Sequence, residues 1–470
     1  MRARITLAGL ALALALSAFG VQAETIRIAI GTQDSTINCA AGGLLIRELG
    51  LLDKYLPKDG AYKDAQYDIQ WKNFTSGAPL TNEMVAGKLD FGAMADFPGA
   101  LNGVAHEAAG KHSLFISVLS GSIEGSGNGV VVPKDSPVQS FSELKGQTIS
   151  VPFASTAHGM LLRAIAAQGW DPDKDVTVIA QPPEVAGSAL QANKIAAHAD
   201  FVPFAELFEN RGFARKIYDG SQAKAPTFHG ALVDSDYARR YPEIVVAYLR
   251  ASIEANQLLA ADPEKYSQLI EKAAGVEAEV NYLFHGPLGL QTRDLTWKPE
   301  YRKAVATAID TLKLLKKADR GLNTDTFIDD HFIRQAFKES GLDYDKQLAN
   351  YAQQPLVAND ALSGKPITDP KQVAQIWLKD EPKVRSYASP QAALADLANL
   401  QKAGKAVRAV YAQASDSGIK LLAAQAWFVS DAKGRLNAFL LKEQARQFAQ
   451  AHGGEVRDFA DASRQALAQR

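Results

Sequence analysis

Short apolar strands, small polar loops and amphipathic helices alternate along the first half of the chain. The clearest copy of this unit is residues 145–170, where an apolar strand at 148–151 precedes a helix with an apolar stripe at helical spacing. Gly169 follows the last apolar position, and glycine is common just past a helix C-terminus. Ser155 or Thr156 is a natural N-cap, because its hydroxyl can accept a hydrogen bond from a first-turn amide.

Two earlier segments repeat the unit, with strands predicted at residues 25–30 and 67–71. Ser35 or Asp34 is the candidate cap of the helix after the first of these strands, and Ser76 is the candidate cap of the helix after the second. The alternation predicts an α/β fold with parallel strand pairing. Helix starts at Ser35, Ser76 and Ser155 would bring free amides to the carboxyl ends of strands, which predicts a cleft for an anionic or strongly polar small ligand. The alternative is that each serine only caps its helix.

The N-terminus has the pattern of an export signal. Arg2 and Arg4 precede an uncharged run at residues 5–19, and residues 21–23, Val-Gln-Ala, supply a cleavage site of the small-x-small type. We therefore predict a signal peptide at residues 1–23 and an exported mature chain. No later stretch is apolar and long enough to span a bilayer.

Composition excludes several classes of function. The chain has 51 basic and 52 acidic residues, and its formal net charge of −1 does not suit a protein that coats nucleic acid or an anionic membrane. Cys39 is the single cysteine, so an internal disulfide and a multi-cysteine metal or redox site are excluded. The sequence contains no G-x-S-x-G, no Walker loop and no histidine pair at helical spacing. We therefore predict a protein that is not an enzyme and uses no cofactor.

Three segments carry a family resemblance, and they follow one another in the family's order: residues 76–98, 128–170 and 227–251. The first contains SGAPLTNEMVAGKLDFGAMADFP, the second contains SFSELKGQTISVPFASTA, and the third contains FHGALVDSDYARRYPEIVVAYLRA. Together they resemble the substrate-binding proteins of nitrate/sulfonate/taurine-type ABC importers. The resemblance implies a type II periplasmic binding protein fold, in which two α/β lobes close on a ligand held between them.

The resemblance also implies the domain limits and the partners. Lobe 1 would comprise residues 24–125 and 233–363, and lobe 2 would comprise residues 126–232. The protein would be a periplasmic monomer that captures a small anion or organic sulfonate and delivers it to the membrane permease of an importer. The identity of the ligand stays open for two reasons. Ala196 stands where the family usually has Asp, and the hydroxyls and amides of the predicted cleft suit nitrate, bicarbonate, sulfonates and carboxylates alike.

The C-terminal part of the chain has a different pattern. Gly and Pro residues predict a linker over residues 364–384, and the Ala-rich segment 385–470 predicts a small α+β domain. Residues 425–459 resemble the C-terminal half of NosL, the copper accessory protein of nitrous oxide reductase. This part of the chain has neither Met nor Cys, so the soft sulfur ligands of that copper chemistry are missing. An assembly or metal-delivery role through this domain is the alternative function.

Candidate ligand residues follow from the helix starts and from the family positions. Asp96 and Phe97 follow a strand and could bound the pocket, although Asp96 could equally cap a helix. His158 could donate to an anion or lie at the surface, and an aromatic such as Phe204 could contact an organic group or belong to the core. The predicted ligand-binding set, which includes no metal ligand, is Gln33, Ser35, Thr36, Ser76, Gly77, Asp96, Phe97, Ser155, Thr156, His158, Phe204 and His229.

Overall fold

The computed structural model describes residues 24–314 and 321–468, so the predicted signal peptide lies outside the described residues. The chain forms two α/β lobes and a C-terminal α+β unit, the tail, which we define as residues 370–468. The predicted alternation of strands and helices is confirmed in both lobes. Among the residues that the structure describes, no helix combines the length and apolarity needed to cross a bilayer.

Lobe 1 is built on a five-stranded sheet. Its strands are β1 (Thr25–Thr32), β2 (Gln66–Asn73), β3 (Phe91–Ala95), β4 (Ser113–Ser122) and β10 (Thr227–Asp234). The sheet order is β2-β1-β3-β10-β4, with β1 parallel to β2 and β3, and β10 antiparallel to both of its neighbours. Because β10 returns from lobe 2 to pair with β3 and β4, the predicted lobe boundary at residue 232 falls inside a lobe 1 strand and is wrong.

The helices of lobe 1 lie between its strands and in the long helical segment after β10. They are α1 (Leu44–Leu49), α2 (Leu51–Tyr55), α3 (Gly77–Val85), α4 (Asp96–Ala108), α8 (Ser235–Arg240), α9 (Pro242–Ala261), α10 (Pro263–Ala274), α11 (Ala278–His285), α12 (Pro299–Leu314), α13 (Thr324–Phe327), α14 (His331–Glu339) and α15 (Tyr344–Leu348).

The single helix predicted after β1 is interrupted. A 3-10 turn at Ile37–Gly42 comes first, and Gly50, with a left-handed φ of 61°, separates α1 from α2. Thr36 rather than Ser35 occupies the N-cap position of that turn, so the predicted cap at Ser35 is wrong. The reason is that Ser35 lies inside a turn, closed by a hydrogen bond from the Thr36 amide to the Gln33 carbonyl oxygen at 3.0 Å, before the 3-10 turn begins.

Lobe 2 has a second five-stranded sheet formed by one continuous stretch of chain. Its strands are β5 (Gly129–Pro133), β6 (Thr148–Val151), β7 (Thr177–Ala180), β8 (Ala197–Asp200) and β9 (Ala214–Asp219), and its helices are α5 (Thr156–Ala167), α6 (Pro183–Gln191) and α7 (Phe204–Asn210). The sheet order is β7-β6-β8-β5-β9, with β6 parallel to β7 and β8. Phe204 begins α7 directly after Pro203 and is buried, so of its two predicted roles the structure supports the one in the core.

The tail contains two antiparallel sheets. Its elements are β11 (Ala374–Leu378), β12 (Arg385–Tyr387), α16 (Pro390–Lys402), β13 (Val407–Gln413), β14 (Lys420–Leu422), β15 (Trp427–Ser430), β16 (Leu436–Phe439), α17 (Lys442–His452), β17 (Val456–Arg457) and α18 (Phe459–Ala468). The sheet orders are β12-β11-β13-β14 and β16-β15-β17. The predicted linker over residues 364–384 is wrong from residue 374 onward, because the fully buried β11 pairs with β12 and β13 there.

The tail packs closely on lobe 1. Tyr282 of α11 contacts the rings of Trp377 and Tyr411, with centroid separations of 5.5 and 5.3 Å. Arg408 of β13 pairs with Glu279 at 3.0 Å, and the Tyr411 hydroxyl donates to the Glu279 carbonyl oxygen at 2.9 Å. These aromatic and polar contacts make the tail part of the same packed body as lobe 1.

The tail also reaches lobe 2. Gln425 Nε2 donates to the carbonyl oxygen of Glu209 in α7 at 2.9 Å. Leu422 and Leu440 of the tail line a small cleft together with Glu206 of the same helix. The tail therefore contacts both lobes.

Lys420 is buried where the tail meets lobe 1. Its Nζ donates to Gln375 Oε1 at 2.8 Å and lies 4.2 Å from the ring centre of Tyr282. Burial lowers the pKa of Lys420 to about 7, and the negative charge of Glu264 offsets this only in part.

This lysine is expected to make stability depend on pH. Between pH about 7 and 10.5 the folded state has released the Lys420 proton while the unfolded state still holds it, so the free energy of unfolding rises with pH. The slope contributed by one such proton is at most about 1.4 kcal/mol per pH unit. Lys420→Met is expected to remove this slope, and denaturant unfolding across the pH window measures it. Lys433→Met, at an exposed lysine, is the control, and parallel profiles for the wild type and Lys420→Met would contradict the assignment.

Candidate functional site

A cavity of about 230 Å³ lies between the lobes where their strands end. Its loops follow the carboxyl ends of β1, β2 and β3 in lobe 1 and of β6, β7 and β8 in lobe 2. All six of these strands lie in parallel pairs, and ligands of open α/β sheets bind outside such strand ends. We call this cavity the main cleft; it is lined by Gln33, Thr36, Thr75, Ser76, Gly77, Ala78, Ala95, Pro98, Pro152, Phe153, Ala154, Ser155, Thr156, Ala180, Gln181, Pro182, Pro183, Phe201 and His229.

Three helices begin at the wall of the main cleft: α3, α5 and α6. At α5 the predicted cap is confirmed, because the Ser155 hydroxyl accepts from the His158 amide at 3.2 Å and donates to the Pro152 carbonyl oxygen at 2.6 Å. At α3, Ser76 has the extended backbone of an N-cap but its hydroxyl accepts no capping hydrogen bond. Ser76 therefore occupies the predicted N-cap position, but its side chain does not cap the helix. Its hydroxyl is available to hydrogen-bond with a ligand.

Gly77 lets the start of α3 approach α4. A Cβ at this position would lie 2.4 Å from Pro98 Cβ and 3.1 Å from Pro98 Cγ. Only a residue without a side chain permits this approach, since real Cβ atoms do not come so near a rigid ring. The close contact places Ser76 and the first amides of α3 at the edge of the cavity.

The lobe 1 wall of the cleft is polar. The side chain of Thr36 is buried, and its hydroxyl oxygen has no hydrogen-bond partner. Gln33 is held in place by donating from Nε2 to the carbonyl oxygen of Ala93 at 3.0 Å. Buried polar atoms are nearly always partnered, so the free hydroxyl of Thr36 points to a ligand or water in the cavity.

His229 contributes a neutral donor. Its Nδ1 accepts from Asn38 Nδ2 at 3.2 Å, and the same amide donates to Gln291 Oε1. Burial lowers the pKa of His229 to about 3, so the ring is uncharged at physiological pH. With Nδ1 as an acceptor, the proton of the neutral ring lies on Nε2 and is available to the cavity.

The lobe 2 wall is largely apolar. Phe153 is 51% exposed, although it is a large aromatic residue. Its ring stacks on that of His158, with centroids 4.6 Å apart and planes 6° from parallel. Pro182, Pro183 and Phe201 complete this side of the cavity.

Seven of the twelve predicted site residues line the main cleft. The other five are Ser35, Asp96, Phe97, His158 and Phe204, which do not line it. His158 is buried, and its Nδ1 accepts from the Ala154 amide at 3.3 Å, so it supports the Phe153 loop instead of facing a ligand. Phe204 packs in the core against Phe201 at a centroid distance of 5.4 Å. The seven that line the cleft are Gln33, Thr36, Ser76, Gly77, Ser155, Thr156 and His229.

Sequence reasoning missed part of the lobe 2 wall. Gln181, Pro182 and Pro183 follow β7 directly, and the Pro-Pro pair starting a helix was the available signal. A larger cavity of about 690 Å³ lies in lobe 1 beside the loop at residues 286–298, and it has no parallel strand end in its wall. The described residues contain no group of three or more His, Cys, Asp or Glu side chains that could hold a metal ion.

The described lobes have the fold of two-lobed periplasmic binding proteins. They superpose on the alkanesulfonate-binding protein SsuA from Xanthomonas axonopodis pv. citri, solved with bound MOPS, with a TM-score of 0.54 and 21% identity over 66% of this chain and 99% of that chain. Residues 56–274 match the model of the NMT1-like family.

Curated relatives are similar over most of their own length. The taurine-binding periplasmic protein of Escherichia coli (strain K12) is 29% identical over 269 residues, which are 54% of this chain and 79% of the relative. A putative aliphatic sulfonates-binding protein of the same organism is 26% identical over 289 residues, covering 60% of this chain and 83% of the relative. Both alignments leave a large part of this chain unmatched.

Proposed function

We propose that this protein is a periplasmic solute-binding protein that captures an organic sulfonate in the main cleft and delivers it to the membrane permease of an ABC importer. The observation that carries the proposal is the two-sided cavity at six strand ends, with hydrogen-bond donors on one wall and apolar rings on the other. The names of the similar proteins, which include taurine-, aliphatic sulfonate- and alkanesulfonate-binding proteins, agree with this class of ligand.

The polar side of the cleft suits a monoanionic head group. None of the described residues that line the cleft is Lys, Arg, Asp or Glu, so binding would rest on dipoles and neutral donors. Helix N-termini favour anions, and the hydroxyls of Ser76 and Thr36 and the Nε2–H of His229 add directed hydrogen bonds. A sulfonate carries one charge on three oxygens and can accept from several of these donors at once.

The apolar side of the cleft argues for an organic group on the ligand. A cavity of about 230 Å³ is too large for nitrate or bicarbonate alone. It has room for roughly seven water-sized volumes at ~30 Å³ each. Phe153 and the two prolines after β7 offer a surface on which an alkyl or aryl chain would be removed from water.

A ligand screen by thermal shift and calorimetry tests this function on the mature chain. Alkanesulfonates of increasing length are compared with carboxylates of the same length and with nitrate and bicarbonate. A sulfonate at a hundred times its Kd is expected to raise the free energy of unfolding by about 2.7 kcal/mol. No response to any anion would overturn the proposal, and a stronger response to nitrate or bicarbonate than to any sulfonate would overturn the organic part of it.

Two serine variants are expected to behave differently. Ser76→Ala removes a hydroxyl that caps nothing, so it should weaken ligand binding about ten- to a hundredfold and leave the melting temperature nearly unchanged. Ser155→Ala removes a helix cap and should cost about 1 kcal/mol of stability. Calorimetric titration beside melting curves separates the two effects, and equal losses of stability in both variants would contradict the assignment.

The alternative is an assembly or metal-delivery role through a NosL-like tail. This alternative is supported by the resemblance of residues 425–459 to NosL. The composition of the tail opposes it, because the tail has neither Met nor Cys to supply soft copper ligands. The contacts of the tail with α7 and α11 favour a part in holding the lobes instead.

A further inference from the structure

A second cavity, of about 200 Å³, lies where the two lobes join. Both connections between the lobes contribute to it: Asn128 belongs to the first, and residues 223–227 belong to the second. Lobe 1 adds the start of α4 and one face of α12, and lobe 2 adds α5. We call it the hinge cavity; the residues used below are Asp96, Asn128, Thr156, Arg163, Lys224 and Lys303.

Arg163 is the residue that most needs explanation. Its Nε is buried and has no hydrogen-bond partner, and within the described residues its guanidinium forms no ion pair. Burial lowers the pKa of Arg163, and the nearby negative charge of Asp96 opposes that shift. The Arg163 side chain is half-buried, and a guanidinium partly removed from water without a paired anion is unfavourable, so such a group normally has a partner.

Two more polar atoms at this cavity lack partners. Asn128 and Thr156 are each 4% exposed, and neither Asn128 Oδ1 nor the Thr156 hydroxyl has a hydrogen-bond partner in the part of the chain that the structure describes. Thr156 lies between the two cavities, since it also lines the main cleft. An asparagine amide can turn to present its NH₂ group, and a hydroxyl can donate. With Arg163, these side chains provide three donors that reach one cavity from lobe 2 and a connecting segment, and Lys303 of α12 adds a donor from lobe 1.

The charge of the cavity is positive overall. Lys224 and Lys303 are exposed at its mouth, and Arg163 lies inside. Asp96 is the one carboxyl group among the described residues of its lining, and Oδ1 of this carboxyl accepts from the Phe97 amide at 2.8 Å. Burial raises the pKa of Asp96 to about 7, so near neutral pH it is protonated in a large share of molecules and opposes an anion only in part.

We propose that the hinge cavity binds a small oxyanion of the carboxylate, sulfate or phosphate class, paired with Arg163 and separate from the ligand of the main cleft. A fork of guanidinium N–H groups matches the spacing of two oxyanion oxygens. Because both lobes and both connections line the cavity, the bound ion fixes the lobes relative to one another. It therefore tightens capture in the main cleft, and the main-cleft ligand tightens oxyanion binding by the same factor.

The test titrates inorganic phosphate, sulfate and acetate, in separate arms at matched ionic strength, into the full mature chain and follows the melting temperature. The wild type, Ser76→Ala and Arg446→Gln should give a saturable rise at millimolar concentrations. Arg163→Gln should require at least tenfold more oxyanion, and Lys303→Gln, at an exposed position that cannot unfold the protein, about threefold more. Arg446 is an exposed arginine on α17 and serves as the matched control.

The outcomes separate this site from the main cleft. Loss of the rise in Ser76→Ala with retention in Arg163→Gln would overturn the proposal, because the ions would then occupy the main cleft. A rise that is linear in concentration and equal in all variants would also overturn it, since excluded salts stabilise every protein in that way. The sulfonate screen is read independently, so failure of one proposal leaves the other standing. The anion whose effect saturates at the lowest concentration identifies which class of oxyanion, phosphate, sulfate or carboxylate, the hinge cavity prefers.

Discussion

A chain that ends at Ser363 is expected to melt at least 10 °C below the full mature protein. The tail covers Tyr282 of α11, which is 2% exposed and lies against Trp377 and Tyr411. Each fully buried large side chain is worth about 1.5–3 kcal/mol, so uncovering α11 and its neighbours costs about 5 kcal/mol. For domains of this size each kcal/mol lowers the melting temperature by about 2–4 °C.

Calorimetry of the two chains measures this effect. Tyr282→Ala in the full chain is the matched variant, and it should reproduce a part of the loss without removing the tail. A truncated chain that melts within about 2 °C of the full protein would show that the tail is an independent unit joined by a linker. That result would restore the organisation predicted from the sequence and contradict the packing described above.

Gly77→Ala is expected to weaken ligand binding at least a hundredfold. The new Cβ would lie 2.4 Å from Pro98 Cβ, and neither the proline ring nor the α3 backbone can yield without moving the start of the helix. The Ser76 hydroxyl and the first-turn amides would move with it. Losing two hydrogen bonds to a charged head group costs about 1.5–3 kcal/mol each, or roughly 10²- to 10⁴-fold in affinity.

Calorimetric titration with the best sulfonate from the screen measures this loss. Gly321→Ala is the matched control, because its Cβ would approach only the flexible end of Lys313, at 3.4 Å. A melting curve establishes that Gly77→Ala still folds. Affinity within threefold of the wild type would mean that α3 does not contact the ligand.

The parts of the site that sequence could predict are those with local signals. Ser155 is a cap because a helical stripe of apolar residues begins just after it, and Ser76 and Gly77 precede a proline that belongs in a first helical turn. His229 was placed by family position alone. The tautomer of His229 depends on Asn38, whose amide also donates to Gln291, and these three residues are far apart in the chain, so no local pattern reports the contacts.

The errors in the sequence-based predictions also arise from contacts between residues that are far apart in the chain. The stretch at residues 373–378, Val-Ala-Gln-Ile-Trp-Leu, lies between proline-containing segments that predict a linker, although its own composition is that of a buried strand. Phe204 follows Val202-Pro203, a pattern typical of loops, yet it starts a helix whose packing outweighs the local preference. In both cases tertiary contacts decided between local alternatives.

The placement of β10 has a consequence for how the protein folds. Among the described strands of this sheet, β4 pairs with β10 alone, and β10 is made after all of lobe 2. Residues 24–122 therefore cannot complete their sheet during synthesis until residue 234 has emerged, whereas the continuous segment 129–219 holds every strand of the second sheet. Long-range pairing is slow because the loop between the partners must close first. Lobe 2 can thus fold before lobe 1, whose sheet is completed only when β10 joins β3 to β4.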